Sequence, residues 1–553
     1  MKQELKEKIV SVLEKQIPQI KEVEDKIKID IPKEEKFGDI AVNVAFLLTK
    51  ILKKKPLDIA NQIKEILEKQ PEFEKVDVAG AGFINIFLSQ TFYHEVLKQI
   101  ISEKDQYGKA KKQDKGRINV EFVSANPTGP LHLGHGRGAV VGNVLSNLYE
   151  YIGYFVEREF YINDAGRQIK KLGESVCARF FQIENPDYPF PEDGYHGDYI
   201  KEIAQHLYKY EREKILSMVD KEQAVDFCAE FAKEMLLEKI KEDLKDFGVE
   251  FDIWFSEKSL YTSGKVDEAI EFLRSKGLIY EKDGAVWVKT TEFGDDKDRV
   301  IIKSDGSYTY FAGDVAYHYD KFKRGYDFVV NVWGADHHGY FPRLKAAVMA
   351  FGVPEDWLRV IFIQLVKLFK NGQEVKMSKR SGSFITLKEL IEEVGKDAVI
   401  YFFLTKDSNT HLNFDIDLAL KKSSENPVYY VQYAHARISS VFREAKERFG
   451  FDPLQDFEAD LSLLKEKQER IIMKHLSFIP DLIREAAEKQ QPHKLTQITY
   501  DLASEFHYYY NNFKFLVEND ENLMKARLYL LKGIRYALRT LFKLMGITPV
   551  ERM

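Results

Sequence analysis

The chain has 553 residues, of which 44% are hydrophobic and 31% charged, so it can bury several cores in two to four domains. No apolar run approaches the length of a membrane span, and residues 1–8 alternate in charge, unlike a signal peptide; we therefore expect a cytoplasmic protein with no membrane partner. With a formal net charge of −6, any contact with a nucleic acid must come from local basic patches.

The chain contains only two cysteines, Cys177 and Cys228, which lie far apart in the sequence and lack the spacing of a metal site. They suit a reducing compartment, and we expect both to be buried as small hydrophobic residues. A structural zinc site is therefore not expected.

The first region, residues 1–110, is predicted to be a small α+β domain. Apolar residues from Leu5 to Ile17 recur at helical spacing, whereas the runs 76–80 and 83–87 are typical of strands. The polar stretch 105–116 then predicts a linker to a second domain.

A pattern typical of phosphate binding follows the next predicted strand. The strand-like run 117–123 leads into the segment 126–135, which ends in His132-Leu-Gly-His135 and is predicted to open a helix. The bare N–H groups of a helix start carry partial positive charge and stabilise an anion. Gly134 and Gly136 let a nucleotide approach the backbone, and His132 and His135 share a face from which both can donate to phosphate. A surface histidine pair with packing glycines explains the same pattern, whereas a metal pair lacks a third ligand.

Residues 117–415 alternate strand and helix signals, which predicts a doubly wound parallel sheet. Residues 175–247 are mostly helical and are expected to form an insertion between the two halves of this sheet. The run 328–333 predicts a buried strand, followed by Gly334 to Gly339. Ligands of such sheets bind at the carboxyl ends of the strands, at the topological switch point, so these motifs should converge there.

A polar loop with several lysines, residues 370–383, follows the apolar run 360–366. Lys376 and Lys379 flank Met377-Ser378, and such point charges suit the negative charge that develops on a leaving pyrophosphate. Residues 386–389, Thr-Leu-Lys-Glu, predict a capping box at the start of the next helix. A solvated basic loop is the alternative interpretation.

Together the two motifs resemble the two signatures of class I aminoacyl-tRNA synthetases, and the wider pattern is similar to the bacterial-type arginyl-tRNA synthetase family. The resemblance spans essentially the whole chain and is carried by residues 80–86, 121–135, 161–168, 334–340, 537–541 and 551–553. It implies a Rossmann-like catalytic domain (117–415), an N-terminal α+β domain (1–110) that contacts the tRNA elbow, and an all-α helical bundle (417–553) that reads the anticodon region.

The resemblance also implies roles for individual residues. His132 and His135 hold the phosphate under attack, while Lys376 and Lys379 share the phosphates that leave. Further ATP contacts are implied for Gly134, Gly136, Asp336, His337, His338, Met377 and Ser378. The α-amino and carboxylate groups of the amino acid are held by Ser124 and Asn126, assisted by Glu121. Many members of the family lack the second lysine of the second signature, whereas this chain keeps Lys379.

A pocket for arginine must bind a planar, permanently charged guanidinium, which requires carboxylates or aromatic hydroxyls arranged around a fork. Candidates are Tyr310 and Asp314 in the segment 307–314, and Glu257 in the segment 251–257. By resemblance, Tyr310 and Asp314 match the family's side-chain-reading tyrosine and aspartate, and Glu257 matches its pocket glutamate.

The implied reaction has two steps. The carboxylate of L-arginine attacks the α-phosphorus of ATP, bound with Mg²⁺ as a substrate complex, and a terminal ribose hydroxyl of tRNA(Arg) then attacks the adenylate. No protein nucleophile is needed, so positioning and electrostatic stabilisation supply most of the acceleration. The resemblance implies a monomer, which is the usual state in this family. No metal ligands are assigned.

The C-terminal helices carry aromatic side chains that suit stacking on splayed bases. The residues expected to contact tRNA are Tyr430, Tyr433, Arg437 and Tyr509. Tyrosines in the cores of these helices are the alternative interpretation.

Three other functions compete with this one. A class I synthetase for cysteine or methionine is disfavoured by the missing zinc-ligand cysteines and by the acidic pocket set. A catalytically silent tRNA-binding paralogue is disfavoured because both signatures are intact. A nucleotidyltransferase with the same histidine motif would not explain the helical region 417–553.

Overall fold

Three regions follow one another along the chain, and each has its own arrangement of strands and helices. The computed structural model describes residues 1–32, 34–218, 220–375 and 385–553. A parallel sheet flanked by helices confirms the predicted α/β class, with an antiparallel α+β region before it and a helical region after it. Among the described residues, no helix has the length and apolar character needed to cross a bilayer.

The N-terminal region contains α1 (Lys2–Glu14), β1 (Ile29–Asp30), β2 (Ile40–Val42), α2 (Val44–Leu52), α3 (Pro56–Leu67), β3 (Phe73–Ala79), β4 (Phe83–Leu88) and α4 (Gln90–Glu103). Its strands form an antiparallel sheet in the order β1-β2-β4-β3. Ile84, Ile86 and Leu88 point to one face of β4 and are fully buried, because α2 and α3 pack against this sheet.

The central region contains β5 (Arg117–Glu121), α5 (Leu133–Tyr151), β6 (Phe155–Ile162), α6 (Arg167–Gln182), α7 (Asp198–Tyr210), α8 (Arg212–Leu216), α9 (Lys221–Asp246), β7 (Ile253–Ser256), α10 (Glu257–Thr262), α11 (Lys265–Ser275), β8 (Ile279–Lys282), β9 (Ala285–Val288), β10 (Arg299–Ile302), α12 (Tyr310–Lys323), β11 (Phe328–Gly334), α13 (Phe341–Met349), β12 (Leu358–Ile363), β13 (Val366–Lys370), β14 (Gln373–Glu374), α14 (Leu387–Val394), α15 (Lys396–Phe403), β15 (Leu412–Asp415) and α16 (Ile416–Leu420).

Five of these strands form a parallel sheet in the order β12-β11-β5-β6-β7. The chain runs outward from β5 through β6 to β7 and then returns to place β11 on the other side of β5. This reversal creates the topological switch point between β5 and β11. Asn119 and Glu121 of β5 are buried together with Ile118 and Val120, because both faces of the sheet are covered.

The helical insertion differs from its predicted position. Helices α6 to α9 lie between the neighbouring strands β6 and β7, so they interrupt one half of the sheet instead of separating the two halves. The insertion has its own core, which includes Leu172, Phe180 and Leu236 and encloses the buried thiols of Cys177 and Cys228. The antiparallel strands β8 to β10 form a further small sheet that was not predicted.

The C-terminal region contains α17 (Pro427–Phe449), α18 (Lys467–Glu488), α19 (Lys494–Asn512) and α20 (Glu521–Met545). Helix α20 is the most enclosed of them, with fully buried residues from Ala526 to Phe542 that face α17, α18 and α19. It also packs against α5, so the helical region contacts the central region directly.

Candidate active site

The loops after β5 and β11 meet at the switch point, as the doubly wound topology predicts. The first loop leads from Glu121 to His132, and the second carries Gly334 to Tyr340. Helix α12 contributes side chains to the same place, because the Asp314 carboxylate accepts a hydrogen bond from the Tyr340 hydroxyl. Three separate parts of the chain therefore build one site.

His132 is the N-cap of α5, so the helix start is not bare as the sequence suggested. Its Nδ1 accepts hydrogen bonds from the backbone N–H groups of Gly134 (3.1 Å) and His135 (3.4 Å). His135 returns a contact, because its Nδ1 accepts from the backbone N–H of His132 at 3.3 Å. The two rings stack with centroids 3.5 Å apart. The histidines therefore form one fixed unit at the positive end of the helix.

The two glycines of this motif have different surroundings. A Cβ at Gly134 would lie 3.1 Å from the ring of His132, so glycine allows the imidazole to cap the helix. Gly136 is buried, and a Cβ there would lie 2.6 Å from Leu387 of α14. Gly136 thus serves helix packing, and its assignment to ATP contact stays a prediction.

The second signature, with Lys376, Met377, Ser378 and Lys379, lies outside the described residues. The segment that follows it is described and contacts the first signature. Thr386 forms an isolated β-bridge with His132, and the Leu387 N–H donates to the Leu131 carbonyl at 2.9 Å. The predicted capping box is confirmed, because Thr386 and Glu389 bond reciprocally at the start of α14.

The segment after β11 exposes two of the three residues that were predicted to contact ATP. The side chains of Asp336 and His337 are 84% and 56% exposed, and they lie 3.8 Å apart. His338 is held more firmly, since its ring stacks on Phe362 at 3.6 Å and its Nε2 lies 3.4 Å from Asn409 Oδ1. All three side chains lie at the carboxyl end of the sheet.

Glu257 and Asp314 form an acidic pocket beside this segment. Burial and the neighbouring Asp314 carboxylate raise the pKa of Glu257 to about 7. Burial raises the pKa of Asp314 to about 6, although the hydrogen bond from Tyr340 opposes the shift. Within the described ranges, neither carboxylate has a Lys, Arg or His partner. The pocket is thus an enclosed pair of acids that lacks a cation, and a cationic ligand would stabilise their charged forms.

Aromatic hydroxyls line the same pocket. Burial raises the pKa of Tyr161 well above its usual value, and Glu257 and Asp314 add to the rise. Tyr261 behaves in the same way, with burial and then Glu257 raising its pKa to about 12. Both hydroxyls therefore remain neutral and can donate or accept hydrogen bonds. Tyr310, by contrast, is 83% exposed at the start of α12, one turn from Asp314.

The loop after β5 places Ser124 against Glu121 in a strained conformation. Val123 and Ser124 have φ values of 67° and 41°, a region that residues with a side chain rarely occupy. Ser124 Oγ donates to Glu121 Oε1 at 3.0 Å and accepts from the Tyr161 N–H at 3.2 Å. Asn126 Nδ2 donates to Gln168 Oε1 at 2.6 Å. Surroundings that fix an unfavourable backbone in this way are typical of ligand sites.

The C-terminal helices present a different aromatic surface from the one predicted. Arg437 lies over the rings of Tyr433 (4.4 Å) and Tyr510 (4.6 Å), and Tyr430 packs beside His507 at 4.5 Å. Tyr509 was predicted to contact tRNA, and the structure contradicts this. It is fully buried, and its hydroxyl donates to Glu469 at 2.7 Å. The next residue on α19, Tyr510, is half-buried with its ring under Arg437, and it was not among the residues predicted to contact tRNA.

Other residues of the site were also missed by the sequence interpretation. Asp164 accepts hydrogen bonds from the Ser256 hydroxyl (2.7 Å) and the Lys258 N–H (2.9 Å), which fixes the turn that carries Glu257. Tyr161 and Tyr340 belong to segments that carried the family resemblance, so their positions were a usable signal. Among the residues that the structure describes, no group of three or more His, Cys, Asp or Glu side chains could hold a metal ion.

Comparisons with known proteins agree along the whole chain. Family models match residues 3–88 as the arginyl tRNA synthetase N terminal domain, 96–430 as the catalytic domain of class I (R) tRNA synthetases, and 431–553 as the DALR anticodon binding domain. An arginine–tRNA ligase of Aquifex aeolicus is 47% identical over 588 aligned residues, which cover 100% of both chains.

Solved structures give the same result. A Campylobacter jejuni protein assigned as an arginyl-tRNA synthetase superimposes with a TM-score of 0.78 at 37% identity, covering 84% of this chain and 100% of its own. The arginyl-tRNA synthetase of Thermus thermophilus covers 100% of both chains with a TM-score of 0.76. Its identity is 21%, so this likeness concerns the fold alone.

Proposed function

The chain belongs to the arginyl-tRNA synthetase family of class I aminoacyl-tRNA synthetases, and on this premise we propose how its residues divide the work of forming arginyl-tRNA. It is an arginine–tRNA ligase, which joins L-arginine to tRNA(Arg) at the expense of ATP, through an arginyl-adenylate. The individual site residues, the metal ion and the tRNA contacts below are our proposals.

The acidic pocket determines which amino acid binds. Glu257 and Asp314 are enclosed carboxylates without a described cationic partner, and a guanidinium supplies both the missing charge and several N–H donors. Lysine offers a single ammonium and cannot make the same bidentate contacts. Tyr310 closes over the bound side chain from its exposed position, while Ser124, Asn126 and Glu121 hold the α-amino and carboxylate groups.

The stacked histidines hold the α-phosphate. Their position at the positive end of α5 allows the imidazoles of His132 and His135 to donate to phosphate oxygens as charge develops. Asp336, His337 and His338 contact the nucleoside, and Gly134 keeps the approach open. Lys376 and Lys379, with Met377 and Ser378, bind the leaving pyrophosphate. The bridge between His132 and Thr386 supports this proposal, because Thr386 follows these residues in the sequence.

Catalysis then depends on the alignment of the arginine carboxylate with the α-phosphate of ATP. The arginine carboxylate, fixed by the loop after β5, attacks the α-phosphorus in line with the pyrophosphate, and no side chain forms a covalent intermediate. ATP enters as its Mg²⁺ complex, because the metal neutralises phosphate charge in such transfers.

The helical region binds the second substrate. Tyr433 and Arg437, with Tyr430 beside them, form an aromatic and cationic surface on which unstacked bases of tRNA(Arg) can lie. The N-terminal region, residues 1–110, contacts the tRNA elbow. We also propose that the protein is a monomer and acts in the cytoplasm, and the family resemblance supports both points.

Amino-acid-dependent ATP–pyrophosphate exchange tests the pocket directly. With purified tRNA present, we expect exchange with arginine and no detectable exchange with lysine, citrulline or methionine. Citrulline is the decisive comparison, since it has the shape of arginine without the charge. Equal exchange with citrulline would refute the role of the acidic pair.

A further inference from the structure

Lys321 is a fully buried lysine beneath the amino-acid site, on the inner face of α12. Its side chain is 0% exposed, and Nζ lies 3.1 Å from Glu121 Oε2 and 3.2 Å from Asn331 Oδ1. Lysine is almost never enclosed in this way unless it is paired, because an isolated buried ammonium is costly. The ion pair with Glu121 therefore explains why the lysine is tolerated, and it restrains the carboxylate.

The two oxygens of Glu121 have separate partners. Oε2 accepts from Lys321, whereas Oε1 accepts from the Ser124 hydroxyl at 3.0 Å. Ser124 Oγ also accepts from the Tyr161 N–H at 3.2 Å, so its one proton and one of its two lone pairs are engaged. The remaining lone pair is an acceptor of fixed direction, which suits an incoming ammonium group.

The backbone of this loop needs such support. Val123 and Ser124 both have positive φ values, of 67° and 41°, and nothing in their own side chains favours that conformation. The hydrogen bonds from Lys321 through Glu121 to Ser124 connect the strained turn to the rigid interior of the sheet. Without Lys321, the buried carboxylate of Glu121 would lose its cationic partner.

Asn331 connects the same lysine to the guanidinium end of the pocket. Its Nδ2 donates to His318 Nε2 at 2.8 Å, and His318 Nδ1 donates to the Asp314 carbonyl at 2.8 Å. Burial, with the Lys321 charge, lowers the pKa of His318 to about 3, so the ring is neutral and can accept one bond and donate the other. Lys321 thus lies between the two residues that hold opposite ends of the amino acid.

We propose that Lys321 is a positioning residue for the amino-acid substrate: it orients Glu121 and Ser124 so that the loop after β5 receives the α-ammonium group. The proposal rests on the proposed function, because it assumes that Ser124 and Glu121 face that group. It adds a residue that touches neither arginine nor ATP and that acts through Glu121.

The test compares arginine with 5-guanidinopentanoate, which is arginine without its α-amino group. Binding of each to the full-length protein is measured by calorimetry for the wild type and for Lys321→Met. We expect arginine affinity to fall about 10-fold to 100-fold in the variant, since an oriented charged contact is lost, while affinity for the analogue changes by less than about 3-fold. Lys323→Met is the matched control, because this lysine of the same helix pairs with Glu268 at the surface.

A double variant keeps the test decisive if Lys321→Met does not fold. Lys321→Met combined with Glu121→Gln leaves no unpaired buried charge, so it is expected to fold. If Lys321 acts through Glu121, the double variant has the same preference for arginine over the analogue as Glu121→Gln alone. A further loss in the double variant, or an equal loss for both ligands in Lys321→Met, would overturn the proposal.

The outcome also separates this proposal from the function on which it rests. If the wild type prefers arginine to 5-guanidinopentanoate and Lys321→Met keeps that preference, only the role of Lys321 fails. If the wild type binds both ligands equally, the assignment of Ser124 and Glu121 to the α-amino group fails instead.

Discussion

At the scale of single residues, we propose that Asp314 contributes most to arginine binding. Its carboxylate is enclosed, held by Tyr340 and close to Glu257, so its charge acts in a medium that screens it poorly. A charge-assisted hydrogen bond contributes roughly 1.5–3 kcal/mol under such conditions.

Asp314→Asn is therefore expected to weaken arginine binding about 10-fold to 100-fold and to leave ATP binding unchanged. Calorimetric titration with each ligand measures both effects. Glu271→Gln, which changes an exposed residue of α11, is the control for a lost negative charge. Unchanged arginine affinity in Asp314→Asn would remove this residue from the pocket.

The raised pKa values of the same two residues predict a pH dependence. In the proposed pocket, arginine binds the ionised carboxylates. Burial and the Asp314 carboxylate raise the pKa of Glu257 to about 7, and burial raises the pKa of Asp314 to about 6. Arginine affinity should therefore be full above pH 8 and fall roughly tenfold or more between pH 8 and pH 6, as both groups take up protons.

Direct binding of arginine in the absence of ATP measures this profile without interference from phosphate titration. Glu257→Gln removes the group that titrates near neutrality, so its weaker binding should depend less on pH between 8 and 7. A wild-type affinity that is flat from pH 8 to pH 6 would contradict the account of the pocket.

At the scale of elements, we propose that His132 has both a structural and a chemical role at the start of α5. His132 caps the helix, and its ring supports that of His135. His132→Asn should keep the cap and lose the imidazole, whereas His132→Ala loses both and about 1 kcal/mol of stability besides. We expect both variants to adenylate slowly, with only the alanine variant melting at a lower temperature.

Thermal melting and single-turnover adenylation measure the two tasks separately. Ser89→Ala removes the side-chain cap of α4, far from the site, so it should lower the melting temperature without slowing adenylation. Full adenylation activity in His132→Asn would show that the imidazole has no chemical role.

The sequence predicted some of these elements and missed others for physical reasons. Thr386 and Glu389 were predictable as a capping box, because threonine and glutamate are strong preferences at those positions. Histidine is not among the preferred N-cap residues, so the start of α5 was expected to lack a side-chain cap. Tyr509 and Tyr510 differ only in the face of α19 on which they lie, and the packing of α18 and α20 decides which face is inside. Motif matches thus located the site, while tertiary packing determined which neighbours complete it.

At the scale of the whole molecule, ion pairs fasten the N-terminal region to the C-terminal helices. Asp39, which is buried, receives contacts from Lys474 at 2.8 Å and Arg470 at 3.4 Å, and it also accepts the Leu88 N–H at 2.8 Å. Arg539 of α20 makes a bidentate pair with Asp105, with bonds of 2.8–3.1 Å. The two regions that we propose to contact tRNA are therefore held in a fixed relation.

Asp39→Asn should loosen that relation, since two cations lose a shared carboxylate. We expect the KM for tRNA to rise about 3-fold to 10-fold while the KM values for arginine and ATP stay within about 2-fold. Aminoacylation kinetics with each substrate varied in turn provide the measurement, and Asp77→Asn on the same sheet is the control. A rise in all three KM values would instead indicate general destabilisation.

The most direct test of the central claim is the charging of purified tRNA with each of the standard amino acids in turn. We expect alkali-labile, ATP-dependent attachment of arginine to tRNA(Arg) and of no other amino acid, with the rate at low arginine reduced about 10-fold to 100-fold by Asp314→Asn. Charging with a different amino acid would contradict the assignment of the pocket, and tRNA binding without any charging would contradict the assignment of the site as active.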